Sequence, residues 1–154
     1  MPSTDKKKVL AIASPGGHWI QLNKICNPLD DQFEMVYVTP GAQYSNNTKS
    51  TRKVLTISDA SADSKHKLIP LAFQLLSIFA KERPSTIIST GAAPGAIAFL
   101  IAKFLPIKTI WVDSIANVSQ ISRSGRIVRK HADKVITQWE PLSDGDKILS
   151  LIHI

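Results

Sequence analysis

Val9-Leu10-Ala11-Ile12-Ala13-Ser14-Pro15-Gly16-Gly17-His18-Trp19 is the stretch on which the fold turns. Residues 9–13 form a short apolar run rich in branched side chains, the pattern of a strand buried on both faces of a parallel sheet. Ser14 to His18 break that run, and a helical pattern follows from Trp19. A glycine bend between a buried strand and a helix lets the backbone approach a bound group. The helix start adds unpaired N–H donors and partial positive charge, so the bend suits a phosphate. Ordinary turn chemistry also explains two glycines here, and the loop is not the GxGxxG of dinucleotide sites. His18 adds a side chain able to accept a proton near neutral pH.

The same rhythm continues outward. Strands are predicted over 9–13, 33–39, 54–57, 86–89, 109–112 and 134–137, and helices over 19–27, 67–81, 93–104 and 125–131. Alternation of this kind predicts an α/β fold, a Rossmann-like parallel sheet with helices on both faces. A second glycine turn, Ser89-Thr90-Gly91-Ala92-Ala93-Pro94-Gly95, follows the fourth strand. In the strand order 3-2-1-4-5, the first and fourth strands are neighbours at the topological switch point, and both turns face one crevice. Ser14, Gly16, Gly17, Thr90, Gly91 and Gly95 are therefore the candidate phosphate-binding residues. Asp113 ends the fifth strand at the same edge, where a capping role competes with a functional one.

Two further surfaces bear on partners. Arg123, Arg126, Arg129 and Lys130 recur at helical spacing, giving either a solvated basic face or one for anionic headgroups or a diphosphate. The helix through residues 68–80 is apolar nearly all round. That pattern fits burial, packing against a partner helix, or docking on a membrane surface through Leu68, Leu71, Phe73, Leu75, Leu76 and Phe79.

Composition bounds the rest. The chain has 154 residues, the size of one domain, with a basic N-terminus over 1–8 and a tail over 140–154. A hydrophobic content of 44% supports a packed core, and a net charge of +7 points to anionic partners. With 6% aromatic residues, base stacking on single-stranded nucleic acid has little to work with. The one cysteine, Cys26, excludes an internal disulfide and reads as inert core. No signal-peptide pattern or membrane span is found, so a cytoplasmic location is expected. No metal-ligand spacing is present, and Asp144-Gly145-Asp146 reads as a turn. The polar segments 41–52 and 58–64 are predicted loops. The apolar end, 148–154, is expected either to pack back or to meet a partner.

In order, the motifs Ser14-Pro15-Gly16-Gly17-His18 with Gln21-Leu22, Ser89-Thr90-Gly91, Trp111-Val112-Asp113-Ser114-Ile115-Ala116, Ser124-Gly125-Arg126 and Ala132-Asp133-Lys134 through Gln138-Trp139 resemble the Alg14 family. The PssD- and CpsF-type exopolysaccharide and capsule proteins are its bacterial relatives. The resemblance spans about residues 9–139 and implies one half of a GT-B glycosyltransferase, equivalent to the N-terminal domain of MurG-like enzymes. It implies a subunit that binds a lipid-diphosphate-linked sugar acceptor and the cytoplasmic face of a membrane. The sugar nucleotide would belong to an Alg13-like or PssE-like partner, with no cofactor, no metal and no nucleic acid. His18 is then the candidate general base, with Asp113 orienting or replacing it, and Arg123 and Arg126 join the phosphate set. The Alg14 membrane anchor has no counterpart here, so attachment is expected through the helix near Leu68–Phe79. A non-catalytic scaffold and a nucleotide-binding Rossmann domain are the alternatives.

Overall fold

The computed structural model describes residues 5–41, 43, 52–61 and 63–150. Most of the predicted 41–52 loop, Ala62 of the 58–64 loop, residues 1–4 of the basic N-terminus and the last four residues of the apolar end lie outside the described residues.

Among the described residues seven strands form one sheet: β1 (Lys8–Ala13), β2 (Glu34–Thr39), β3 (Lys53–Thr56), β4 (Thr86–Gly91), β5 (Lys108–Val112), β6 (Lys134–Thr137) and β7 (Ile148–Ser150). Their order is β3-β2-β1-β4-β5-β6-β7, and every pairing is parallel. The expected order is present, with two strands added beyond β5. The seventh was not predicted as a strand. Ile148 to Ser150 pack back onto β6, led in by an Asp144 carboxylate that accepts from the Asp146 and Ile148 amides at 3.0 and 2.8 Å. The acidic pair is thus a turn, as its sequence suggests.

Among the described residues four α-helices cover the sheet: α1 (Gly17–Cys26), α2 (Lys65–Glu82), α3 (Ala93–Ala102) and α4 (Arg123–Val128). The period-two alternation of β1 splits the core. Leu10 and Ile12 join the cluster under α2, α3 and α4, while Val9, Ala11 and Ala13 join the one under α1. Each fully buried Leu or Ile contributes ~1.5–3 kcal/mol. Edge-on ring pairs add shape: Phe99 meets Trp111 at 5.4 Å and Trp19 meets Tyr37 at 6.0 Å. Cys26 is fully buried, and burial pushes its thiol up to about 12, which leaves it unreactive.

The structure corrects the reading of α2. Leu71, Leu75 and Phe79, spaced four apart, are 0%, 0% and 5% exposed and fill the core. Leu68 is half-buried and packs against the same cluster. Ile69, Phe73 and Leu76 face outward at 65%, 68% and 44%. The helix has one buried stripe and a separate exposed one, so Leu71, Leu75 and Phe79 do not belong to a docking face. Among the described residues, no helix is long and apolar enough to cross a membrane.

Candidate functional site

Parallel pairing brings the ends of β1 and β4 side by side, with Ala13 opposite Gly91 across a register shift. The Ser14 amide donates to the Gly91 carbonyl at 3.3 Å, which ties the two bends together. Both glycine turns therefore open on one edge of the sheet, the carboxyl edge, at the switch point.

The first turn is open. Gly16 has φ +83, a conformation that favours glycine, and as the N-cap of α1 it brings no side chain of its own to the helix start. Gly16 and Gly17 are exposed, and a methyl group built on either meets nothing within 4 Å. The two glycines thus leave open space beside the first turn of α1, where the helix dipole favours an anion.

The second turn is filled by the protein itself. Gly91 has φ +129, and a Cβ on it would lie 2.7 Å from His18 Cε1 and 2.8 Å from Nδ1. The imidazole rests on the bare face of this glycine. His18 Nδ1 lies 2.9 Å from the Thr90 carbonyl oxygen, which can only accept. Nδ1 therefore carries the proton, and in the neutral ring Nε2 keeps its lone pair. Among the described residues nothing hydrogen-bonds Nε2. Thr90 Oγ1 donates to the His18 carbonyl at 2.7 Å, and Thr90 is 1% exposed.

These contacts correct three sequence assignments. Gly91 is not an open phosphate wall, because a histidine ring covers it. The Thr90 hydroxyl is buried and engaged, so it offers nothing to a ligand. Gly95 is buried, and a Cβ there would lie 2.0 Å from Ser89 Oγ, so its role is the close packing of α3 on β4.

Asp113 is corrected as well. It is 1% exposed. Its Oδ1 accepts from Trp111 Nε1 at 3.1 Å and from the Ser122 hydroxyl. Its Oδ2 accepts from the Ser122 amide at 2.8 Å and from Asn117 Nδ2 at 3.1 Å. Four donors saturate the carboxylate, so it neither takes a substrate proton nor touches His18. It pins the 114–122 loop and the start of α4 to β5, while Gln21 Nε2 of α1 donates to its backbone carbonyl at 3.1 Å. Gly125 permits this docking, since a Cβ there would lie 2.8 Å from Asp113 Oδ1. The sequence reading missed Ser122, Asn117 and Gln21 as Asp113 partners. Only Ser122 carries a legible signal, because it sits at N-cap spacing and accepts from the Gly125 amide at 2.9 Å.

Arg123 and Arg126 are exposed on α4 and, with Ile127 and Lys130, line a shallow hollow that shares no residue with the His18 seat. A second, apolar cleft lies where α2 ends and β5 begins, on the opposite edge of the sheet. Leu76, Phe79, Leu105 and Ile107 line it, and Phe104 beside it is 80% exposed.

The comparisons bear on the family and the fold. The family model for oligosaccharide biosynthesis protein Alg14-like proteins matches residues 47–150, about two thirds of the chain. The chain is 28% identical to the UDP-N-acetylglucosamine transferase subunit alg14 of Schizosaccharomyces pombe, over 97% of this chain and 83% of that protein. In fold it is similar to Acinetobacter baumannii MurG, with a TM-score of 0.79 at 12% identity, covering 94% of this chain and 45% of MurG. It is also similar to Neisseria meningitidis UDP-GlcNAc 2-epimerase, with a TM-score of 0.68 at 11% identity over 93% and 45%. It spans less than half the length of these two solved proteins.

Proposed function

This chain belongs to the Alg14 family, and from that premise we propose that it is the acceptor-binding subunit of a two-component inverting glycosyltransferase. The fold is that of the N-terminal half of a MurG-like GT-B enzyme. The fission-yeast relative is a subunit of a UDP-N-acetylglucosamine transferase, which supports a two-component assembly. The sugar nucleotide is then held by an Alg13-like or PssE-like partner, and this chain needs no cofactor or metal of its own.

The single observation that carries the reading is His18. Its Nε2, without a hydrogen bond among the described residues, belongs to a ring in the first turn of α1, where Gly16 and Gly17 are exposed. In the proposed reaction Nε2 takes the proton of the acceptor hydroxyl. That oxygen attacks the anomeric carbon, the new glycosidic bond forms, and the bond to the nucleotide phosphate breaks with its electron pair leaving on the nucleotide. The acceptor diphosphate is placed against Ser14, Gly16 and Gly17, where the helix dipole favours negative charge. Arg123 and Arg126 raise the positive potential that draws such a substrate in. The exposed stripe Ile69, Phe73 and Leu76, with Phe104, is the proposed contact with the cytoplasmic face of a membrane carrying the lipid-linked acceptor.

His18→Ala in the reconstituted two-subunit enzyme is expected to lower kcat by about 10²–10⁴-fold, the usual contribution of a positioned base. Turnover near the wild-type rate removes His18 from that role. Full transfer by the partner alone would instead make this chain a scaffold.

A further inference from the structure

We propose that Thr90 and Gly91 form a socket that fixes the orientation and tautomer of His18, presenting a bare Nε2 to the open side of the site. This rests on the reading of His18 as the base and gives the second glycine turn a different task from phosphate binding.

Three constraints converge on one ring. The Thr90 carbonyl engages Nδ1 at 2.9 Å and holds the proton there. The Thr90 hydroxyl donates to the His18 carbonyl at 2.7 Å, fixing the backbone from which the ring projects. The bare face of Gly91 admits the ring to a position that a Cβ would occupy at 2.7–2.8 Å. Gly91 is itself held from two sides: its amide donates to Ser89 Oγ at 3.3 Å, and its carbonyl accepts from the Ser14 amide at 3.3 Å. A neutral histidine can carry its proton on either nitrogen, and the partner of one nitrogen decides the form of the other. A ring with its proton on Nε2 would meet the acceptor hydroxyl already protonated and could not take a second proton. Thr90 and Gly91 touch no reacting atom in this scheme; they are positioning residues.

The test is ring ¹⁵N NMR of the full chain above the titration of the imidazoles, with His18→Gln assigning the signals. The wild type is expected to show His18 protonated on Nδ1 and bare on Nε2. Gly91→Ala is expected to lose that pattern and, in the reconstituted enzyme, to lower kcat about tenfold or more with acceptor KM little changed. Thr90→Val removes only the hydroxyl brace and is expected to shift the same ring signals, with Thr90→Ser restoring both signals and rate. This second pair carries the test if Gly91→Ala does not fold. A wild-type ring protonated on Nε2 overturns the proposal. So does an unaltered tautomer and rate in Gly91→Ala or, where that variant does not fold, in Thr90→Val. If the tautomer is as expected but His18→Ala turns over normally, the socket stands and the assignment of His18 as base falls.

Discussion

Glycines of one sequence type do unlike things here. Gly17 faces open space, whereas Gly95 touches Ser89, whose Cβ would lie 2.9 Å from a new methyl group. The Ser89 hydroxyl can rotate away, but its Cβ is fixed by β4. Gly95→Ala is therefore expected to cost about 1–3 kcal/mol through overpacking. Gly17→Ala, which removes a glycine from a helix start at no steric cost, is expected to be neutral or slightly stabilising. Urea unfolding of the two variants measures the contrast, and equal stability would refute the packing role given to Gly95. The sequence located both glycine bends and His18. It did not disclose what approaches each glycine, because that depends on the registers of β1 and β4, which bring residues 72 positions apart into contact. Asp113 was placed at the right edge because strand position is legible, whereas three of its four donors come from the 114–122 loop, where only the N-cap spacing of Ser122 leaves a signal.

At the scale of elements, α2 shows where composition misleads. A run this apolar reads as buried or lipid-facing all round, yet only the spacing of Leu71, Leu75 and Phe79 matches the sheet beneath it. The outward positions 69, 73 and 76 form their own stripe, which becomes separable once the facing surface is known. The two stripes predict opposite phenotypes. Leu75→Ala is expected to lose about 2–5 kcal/mol of stability by opening a cavity under the helix. Phe73→Glu, being 68% exposed, is expected to change stability by no more than about 0.5 kcal/mol while reducing co-sedimentation with anionic phospholipid vesicles. Unchanged vesicle binding in Phe73→Glu would move the proposed membrane contact off this stripe. Denaturant melts and vesicle sedimentation on the same two preparations read both halves of the contrast.

Over the whole molecule, the parallel topology separates chemistry from anchorage. Every strand ends at the carboxyl edge, where the glycine turns and His18 gather, and every strand begins at the amino edge. There Glu82, at the end of α2, receives Lys8 of β1 at 3.2 Å and Lys53 of β3 at 2.6 Å. Its side chain is 2% exposed while its two lysine partners are partly exposed, so one carboxylate joins α2 to the starts of two strands with water reaching only the lysine side. The Lys53 hydrogen bond, followed by that from Lys8, outweighs the opposing effect of burial and holds the Glu82 carboxyl below its ordinary range. A carboxylate depressed in the folded state contributes stability that is present above its unfolded pKa. That contribution is lost as pH falls through the folded one. Glu82→Gln is therefore expected to destabilise the protein by about 1–3 kcal/mol at pH 7, less than a fully enclosed pair because Lys53 is 48% exposed. The gap between variant and wild type should narrow as pH drops below the usual glutamate range, since protonation removes the same charge from the wild type. Urea unfolding from pH 7 to pH 3 measures it. A gap that stays constant with pH would show that Glu82 holds the amino edge by shape and packing, with its charge playing no part.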